Sequence, residues 1–259
     1  MKISIIIVSL NAGEDLYKTV ESSVNQTYKN KEILIKDGLS TDGSLEKITC
    51  FGDDINIVKQ KDASIYDAMN QAVKCASGDY YIFMNAGDIF ADNKVLSAVA
   101  SHMIKEKADI YYGDMKRKGS ETIIPYPKKI TSFGMFRNVP CHQVCFYSKR
   151  LFERKAYDTS YKVRSDYEHF LRSVYEDKAV TSHIEKIICI YEGEGFSETI
   201  ENKRVSNKEH GIITRKYMGY KAYIYKGAMI LTLQPLREKM ANSKLFSGIY
   251  QGIKKILYR

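Results

Sequence analysis

The stretch DASIYDAMNQAVKCASGDYYIFMNAGD, residues 62–88, decides the fold because it joins an amphipathic helix to a buried strand. Apolar residues recur at helical spacing from Ile65 to Ala76, and Ser77-Gly78 is a typical helix stop. The run from Tyr80 to Met84 is apolar and aromatic throughout, which is typical of a strand covered on both faces. A helix that leads through a short turn into such a strand indicates a parallel sheet with helices packed on it.

The chain before this stretch repeats the same alternation of strands and helices. Ile3 to Leu10 is almost continuously β-branched, and a helix with one apolar face follows between Leu16 and Val24. Glu32 to Lys36 and Ile55 to Val58 read as two further short strands. We therefore predict an α/β fold with a Rossmann-like, mostly parallel central sheet flanked by helices.

Polar residues follow the ends of the successive strands. Asn11, Asp37, Asp62 and Asp88 each lie just past the end of a predicted strand or in the loop after it. In open parallel sheets, ligands bind beyond the carboxyl ends of the strands. The sequence therefore predicts that these four polar groups converge on one rim of the sheet.

The second half of the chain is less regular. Asp109 to Gly113 reads as a strand, and Glu121 to Asn138, with its prolines, reads as loop or edge structure. Ser165 to Asp177 predicts an amphipathic helix with Ser165 as its N-cap. Ile187 to Tyr191 predicts a last strand before the turn at Gly193-Glu194-Gly195, and the chain from Glu198 onward reads as helical and basic.

The composition is that of an ordinary globular protein. The 259 residues are 44% hydrophobic and 27% charged, and no run approaches the roughly 18–20 apolar residues of a membrane-spanning helix. The five cysteines are odd in number and scattered without zinc spacing, which predicts reduced thiols. The net charge is +9. The basic residues that gather near the C-terminus are Lys203, Arg204, Lys208, Arg215, Lys216, Lys221, Lys226, Arg237, Lys239, Lys244, Lys254, Lys255 and Arg259.

Such a basic face suits nucleic acid, anionic lipid or a phosphorylated ligand. A nucleic-acid partner is not predicted, because no recognition module is evident and the acids on the rim would repel a phosphate backbone. A nucleotidyltransferase is also disfavoured. Its triphosphate needs a basic, glycine-rich loop after the first strand, whereas Leu10 is followed by Asn-Ala-Gly-Glu-Asp.

Three carboxylates have the chemistry of a group-transfer site, and each also has a structural alternative. Asp37 suits a hydrogen bond from a base or a ribose hydroxyl, or it serves an Asp-Gly turn. Asp88 suits a hard cation facing phosphates, or it caps a helix that begins near Asn93. Asp166 suits a general base, or it complements the dipole of the helix that it begins.

His142 and Gln143 lie between a proline-containing loop and the apolar run Val144 to Tyr147. The histidine either orients an acceptor, completes a metal shell, or is a hydrogen-bonded core residue. These readings stay open at the level of sequence.

Taken in order, the motifs resemble family 2 glycosyltransferases with the GT-A fold. The block SVNQTYKNKEILIKDGLSTDGS, residues 23–44, is similar to the family's Ser-Val-x-x-Gln-Thr-Tyr-x-Asn-x-Glu signature and the Asp-Gly-Ser-x-Asp-Gly turn after it. Residues 61–88 resemble a bacterial subgroup with Gly-Ile-Tyr-Asp-Ala-Met-Asn before the metal-binding strand. HQVCFYSKRLFE and YDTSYKVRSDYEHFLR resemble its acceptor-side segment. The resemblance covers roughly Lys2 to Ser197, and the subgroup serves exopolysaccharide, capsule and lipopolysaccharide assembly, including colanic-acid-type transferases.

The resemblance implies a division of the chain. A GT-A catalytic domain would span residues 1–200, with a nucleotide-sugar half over about 1–115 and an acceptor half over about 116–200. A basic helical extension would follow over residues 201–259.

The resemblance also implies roles for individual residues. Asp88 matches the last acid of the motif that binds Mn²⁺ or Mg²⁺, and Asp166 matches the catalytic base. His142 and Gln143 fall in the acceptor-side segment. The positions that match donor-binding residues are Ser9, Asn11, Asp37, Asp62, Asn85 and Asp88.

Two departures from the family pattern refine the expectation. The common Asp-x-Asp motif is replaced by Asn85-Ala86-Gly87-Asp88, which leaves a single carboxylate for the cation. The Gln-x-x-Arg-Trp motif of processive synthases is absent and the chain has no tryptophan, which favours addition of one sugar. The implied reaction is an inverting transfer from a nucleotide-diphosphate sugar, with UDP preferred over GDP as the carrier. A relative that binds the donor without turnover is the alternative.

The resemblance further implies a glycan acceptor on a polyprenyl diphosphate lipid at the cytoplasmic face of the cell membrane. The basic tail, with its apolar segment from Ala228 to Leu231 and the cluster from Lys254 to Tyr258, would then lie on anionic lipid as a peripheral contact. A solvated helical face and a homodimer contact are the alternatives.

Overall fold

One mixed sheet organises the part of the chain that the structure, a computed structural model, describes, which is residues 1–191 and 199–231. The predicted turn at Gly193-Glu194-Gly195, the cluster from Lys254 to Tyr258 and the rest of the extension from residue 232 onward lie outside the described residues. The strands within the described ranges are β1 (Ile3–Ser9), β2 (Lys31–Asp37), β3 (Asn56–Lys59), β4 (Tyr80–Asn85), β5 (Ile89–Phe90), β6 (Ile110–Arg117), β7 (Ile123–Ile124), β8 (Cys145–Ser148) and β9 (Thr181–Tyr191).

The first half of the sheet is parallel, as predicted. Strand β1 lies in the middle and pairs in parallel with β2 on one side and β4 on the other, and β2 pairs in parallel with β3. Every residue of β1 is buried, which explains why Ile3 to Ser9 reads as a continuous apolar run without alternation. The predicted alternation of strands and helices is confirmed here.

The second half of the sheet is mixed, while the sheet as a whole is mostly parallel as predicted, because β6 pairs in parallel with β9 along most of its length. The strand order is β3-β2-β1-β4-β8-β6-β9-β5, and β8 runs antiparallel to both β4 and β6. Antiparallel neighbours need no crossover helix, and no long helical pattern separates β6 from β8. The segment predicted as loop or edge holds β7, a two-residue strand on β6, and a short helix, Ser132–Arg137.

Helices cover the sheet and supply much of the core. Among the described residues, Thr49–Asp54 and His142–Val144 form short 3-10 helices. The α-helices in the described residues are α1 (Gly13–Val24), α2 (Ser44–Lys47), α3 (Ile65–Val73), α4 (Val95–Lys105), α5 (Ser132–Arg137), α6 (Lys149–Arg154), α7 (Ser165–Tyr175), α8 (Ile200–Met218) and α9 (Lys221–Leu231).

Helix α7 forms as predicted, but its predicted cap is wrong. The helix begins at Ser165, and the capping position is occupied by Arg164 without a side-chain cap. The Ser165 hydroxyl instead donates a hydrogen bond to the carbonyl of Asp158, 2.9 Å away, because the preceding loop folds back over the helix start. Helix α3, in contrast, is capped by Ser64, whose hydroxyl accepts from the amide of Asp67.

Helix α8 packs closely on α7. The carboxylate of Glu168 is fully buried and meets Arg172 at 3.2 Å on its own helix and Lys216 at 3.0 Å on α8. The hydroxyl of Tyr217 donates to the same carboxylate, and Ile213 lies fully buried in the common core. The division of the chain near residue 200 stays a prediction. Within residues 1–191 and 199–231, no helix has the length and apolarity that crossing a membrane requires.

Candidate active site

The register of the sheet brings the ends of β1, β2 and β4 to one rim. Ser9 lies opposite Asp37 on β2, and Val8 lies opposite Asn85 on β4. The loops that leave these strands therefore start side by side. The sequence-predicted polar residues of the first half all lie on this rim or in the loops that leave it.

Asp37 is fully buried and its carboxylate is held by the turn that follows β2. One oxygen accepts from the amides of Leu39 at 2.9 Å and Ser40 at 2.8 Å, and the other accepts from the Ser40 hydroxyl at 2.5 Å. The turn forces Leu39 into a left-handed conformation, with φ of 72°. The turn role of Asp37 is therefore observed, and the same hydrogen bonds fix the shape of the rim on which a nucleotide would bind. Its contact with a base or ribose stays a prediction.

Asn11 and Asp62 are also tied to the loops around them. The Asn11 amide oxygen accepts from the backbone of Thr41 at 2.9 Å, which joins the loops after β1 and β2. Asp62 forms an ion pair at 2.9 Å with Lys36, whose ammonium group is fully buried and also donates to the carbonyl of Gln60. A buried lysine needs such a set of partners. The donor-side roles of both residues stay predictions.

Asp88 lies just beyond β4 and is almost completely buried. Its Oδ2 atom accepts from the backbone amide of Asn85 at 3.3 Å and from the side-chain amide of Gln143 at 3.2 Å. Gln143 reaches it from the 3-10 helix that follows the proline-containing loop. The structure thus brings the predicted metal ligand and one predicted acceptor-side residue into direct contact.

Asp166 occupies the first turn of α7 and keeps 24% of its side chain exposed. His142 Nδ1 lies 3.1 Å from Asp166 Oδ2, while the Tyr66 hydroxyl donates to Oδ1 at 3.0 Å and the Tyr167 amide at 2.8 Å. Burial opposes ionisation of this carboxyl, but the hydrogen bond and charge of His142, together with the hydrogen bonds from Tyr167 and Tyr66, outweigh it and hold the pKa of Asp166 below its ordinary value. Asp166 is therefore ionised at neutral pH.

One tyrosine and one histidine keep this carboxylate in place. Burial, and after it the Asp166 charge, raises the pKa of Tyr66 well above its ordinary value, so its hydroxyl stays a donor. His142 is nearly buried, and its Nε2 atom lies 3.2 Å from the side-chain nitrogen of Asn85. Nδ1 carries the proton that the ionised Asp166 carboxylate accepts.

The dipeptide His142-Gln143 therefore connects the two carboxylates of the site. His142 holds Asp166, Gln143 holds Asp88, and Asn85 contacts both sides through its side chain and its backbone. The residues predicted for the cation, the acceptor side and the base therefore lie next to one another, although they come from distant parts of the sequence. Asp88, Asn85, His142, Gln143 and Asp166 form one continuous hydrogen-bonded chain.

Two polar atoms near this chain are buried without a partner in the described structure, Ser9 Oγ and Asn85 Oδ1. Unsatisfied buried oxygens are costly, and a ligand that supplies a donor or a cation relieves the cost. Asn85 Oδ1 and the Asp88 carboxylate are both oxygen donors, which fit a hard divalent cation that takes its remaining ligands from phosphate and water. No group of three histidine, cysteine or acidic side chains at metal-binding distances occurs among residues 1–191 and 199–231. Burial raises the pKa of the nearby Cys141 thiol to about 12, so it offers no thiolate.

Sequence reasoning missed two residues that shape the site. Tyr66 belongs to the Ile-Tyr-Asp motif, but nothing in the local pattern indicates that its hydroxyl reaches Asp166, 100 residues further on. Glu209 lies in the basic stretch of α8, and its buried carboxylate accepts from the backbone amides of Lys162, Val163 and Arg164. The available signal was an acid in the middle of a helix whose other central charges are basic.

A family model and several known proteins resemble this chain in sequence. The family model described as Glycosyl transferase family 2 matches residues 4–170. A PGL/p-HBAD biosynthesis glycosyltransferase of Mycobacterium bovis is 30% identical over 207 residues, which cover 77% of this chain and 80% of the relative. The UDP-Glc:alpha-D-GlcNAc-diphosphoundecaprenol beta-1,3-glucosyltransferase WfgD of Escherichia coli is 32% identical over 141 residues, 52% of this chain and 55% of the relative.

Solved structures share the fold. TarS 1-349 of S. aureus in complex with UDP-GlcNAc superposes with a TM-score of 0.69 at 16% identity, covering 84% of this chain and 67% of that chain. The mannosyltransferase PcManGT of Pyrobaculum calidifontis, solved with GDP-Man and Mn²⁺, gives a TM-score of 0.67 at 12% identity, covering 98% and 87%. The predicted GT-A fold is confirmed. With its family model, its relatives and its fold in agreement, the chain belongs to glycosyl transferase family 2 and is a glycosyltransferase of class EC 2.4.

Proposed function

We propose that this glycosyltransferase moves one sugar from a UDP-sugar to a hydroxyl of a lipid-linked glycan, with inversion at the anomeric carbon. The observation that carries the proposal is the pair of carboxylates, Asp88 and Asp166, joined through Gln143, Asn85 and His142. Single displacement needs an anion-neutralising site and a base on opposite sides of one carbon. Two carboxylates in two different environments meet that need.

The donor half of the proposal rests on the rim at the ends of β1 to β4. Ser9, Asn11, Asp37 and Asp62 would hold the nucleotide, and the oxygens of Asn85 and Asp88 would hold Mn²⁺ or Mg²⁺. Such a cation neutralises the charge that develops on the departing diphosphate. The relatives support UDP as the carrier, because the name of WfgD specifies UDP-Glc and TarS was solved with UDP-GlcNAc. PcManGT, solved with GDP-Man and Mn²⁺, is the reason to test GDP-sugars as well.

The acceptor half rests on Asp166. Its lowered pKa keeps the carboxylate ionised, and Tyr66 and His142 fix its orientation while part of the side chain remains exposed. Asp166 takes the proton of the acceptor hydroxyl as the oxygen attacks the anomeric carbon. The bond from that carbon to the diphosphate breaks on the opposite face, so an α-linked donor yields a β-linked product.

The setting of the reaction follows from the same family members. WfgD is named for a sugar linked to diphosphoundecaprenol, and this supports a lipid-linked glycan acceptor in surface polysaccharide biosynthesis. Such an acceptor would place the enzyme at the cytoplasmic face of the cell membrane as a peripheral protein. The basic residues of α8 and α9 would then face anionic lipid.

The proposal is tested with a panel of UDP- and GDP-sugars, with and without Mn²⁺, in a thermal-shift assay. A ligand at 100 times its dissociation constant adds about 2.7 kcal/mol of stability, which is easily seen. We expect a metal-dependent shift with a UDP-sugar that Asp88→Ala abolishes and that Asp166→Asn retains. Asp166→Asn should lose transfer while it still binds donor, and this separates an enzyme from a donor-binding relative. Retained anomeric configuration in product NMR, or no shift with any nucleotide, would refute the mechanism.

A further inference from the structure

A cavity of about 400 Å³ opens between α5, the start of α7, α8 and α9. None of its lining residues belongs to the hydrogen-bonded chain that links Asp88 to Asp166. Its floor is formed by the buried Phe136, the small residues Gly211 and Ala222, and Met229. Ligand pockets typically have volumes of about 300–1,000 Å³ and apolar walls with a few polar groups. The size and the floor of this cavity therefore suit the apolar part of a small ligand.

The cavity is strongly positive. Arg137, Arg164, Arg215 and Lys226 line it, and no carboxylate is part of its lining in the described residues. Arg164 is partly preorganised, because its Nε donates to Ser206 Oγ at 2.7 Å and its guanidinium lies over the Tyr167 ring at 5.2 Å. Guanidinium groups held in this way are suited to phosphate, which accepts several charge-assisted hydrogen bonds at once.

The mouth of the cavity is apolar as well as basic. Tyr223 is 65% exposed and Ile230 is 62% exposed, and both line the opening. Tyr220 and Ile224 on the same helical hairpin are exposed too. One exposed apolar side chain needs no explanation, but four within eleven residues, flanked by lysines and arginines, are typical of a surface that meets lipid.

The cavity also adjoins the catalytic segment. Arg164 is two residues before Asp166, and Phe136 and Arg137 end the helix that leads into the loop before His142. A ligand whose anionic part sits against Arg164 therefore presents what is attached to that part near the start of α7. This arrangement suits an acceptor in which a phosphate joins a sugar to an apolar chain.

We infer that this cavity binds the phosphate or diphosphate of a lipid-linked acceptor, with the first part of the apolar chain lying between α8 and α9. The inference rests on the proposed function, because it assigns the anchor site of the acceptor. It explains in one step the positive lining, the apolar floor and the exposed side chains at the mouth. Free phosphate would use only the arginines and leave the apolar surface without a role.

Farnesyl diphosphate serves as the test ligand, measured by calorimetry against inorganic pyrophosphate and farnesol. We expect farnesyl diphosphate to bind at least about 10-fold more tightly than either fragment, since charge and apolar surface both contribute. Equal affinity for pyrophosphate would overturn the lipid assignment and leave a simple anion site. No binding of farnesyl diphosphate would overturn the inference as a whole.

Two variant pairs locate the site. Arg215→Glu with Lys226→Glu should weaken binding of farnesyl diphosphate by about 10-fold or more, whereas Lys203→Glu with Lys208→Glu makes the same change of charge outside the cavity lining and should weaken it less than about 3-fold. Gly211→Leu should block the cavity and abolish binding, while Gly211→Ala has space, since a Cβ there would lie 3.9 Å from the Arg215 guanidinium. Equal losses in the two charge variants would mean diffuse attraction and would refute the cavity.

Donor binding separates this inference from the proposed function. Each cavity variant should retain the Mn²⁺-dependent thermal shift with the UDP-sugar, because none of the substituted residues lies on the donor rim. If the donor binds and farnesyl diphosphate does not, only the acceptor site is wrong. If no donor binds to the unmodified protein, the proposed function fails first.

Discussion

Glu209 holds the loop that delivers the proposed base, and its removal should damage both stability and turnover. The carboxylate accepts from the amides of Lys162 at 2.7 Å, Val163 at 3.0 Å and Arg164 at 2.9 Å. The Tyr66 hydroxyl shares its single proton between the carbonyl of Val163 at 2.7 Å and Asp166 Oδ1 at 3.0 Å, which connects this loop to the proposed base. Hydrogen bonds to a charged group contribute about 1.5–3 kcal/mol each. Water can replace those to the exposed Lys162 and the half-buried Arg164, but the Val163 amide stays buried.

We therefore expect Glu209→Ala to lower the free energy of unfolding by about 3 kcal/mol, as measured by urea denaturation. A base displaced by about 1 Å costs about 100-fold in rate, so kcat should fall by about that factor. The KM for the donor should change less than about 3-fold, because Glu209 does not reach the donor rim. Glu209→Gln keeps one acceptor oxygen and should recover part of both losses.

The matched control is Glu201→Ala on the same helix. Glu201 is 80% exposed and makes one ion pair of 3.6 Å with Lys162, so its removal should cost less than about 0.5 kcal/mol. The reasoning is refuted if Glu209→Ala keeps a kcat within about 2-fold of the unmodified enzyme. A donor KM that rises as much as kcat falls would also refute it, because damage to donor binding would then be part of the effect.

Three other perturbations test separate features of the structure. His142→Leu removes the group that lowers the pKa of Asp166, so the acidic limb of the kcat/KM profile should move to higher pH, and an unmoved limb would contradict the contact. Gly113→Ala would set a Cβ 2.5 Å from the carbonyl oxygen of Lys186 and should lower the free energy of unfolding by about 3 kcal/mol, measured by urea denaturation. The control Gly227→Ala has open space around its Cβ and should be neutral or stabilising. Burial raises the pKa of Glu32, but hydrogen bonds led by Lys2, Ser4 and Ser77 lower it to about 2. The ionised Glu32 therefore raises the free energy of unfolding above pH 4.5, by on the order of 2 kcal/mol after solvent screening. This contribution is lost as the pH falls toward 2. In the Glu32→Gln variant, the free energy of unfolding measured by urea denaturation should not show this loss between pH 4.5 and pH 2.

The sequence alone determined the elements whose patterns are local. The buried run of β1, the alternation up to β4 and the amphipathic helices α3 and α7 were all predicted, because the spacing of apolar residues reports directly which face is covered. The same patterns place polar residues at strand ends, so the rim could be predicted before any contact was known. The family motifs then singled out Asp88 and Asp166 together with His142 and Gln143.

The tertiary structure alone decided which of these residues touch. Asp88 meets Gln143 across 55 residues, Asp166 meets Tyr66 across 100, and Glu209 reaches the Val163 amide across 46. The sequence also did not predict that β8 pairs antiparallel between β4 and β6. A local pattern records whether a side chain is buried, but not its partner, because partners are chosen when separate elements pack and every buried polar group must find a donor or an acceptor.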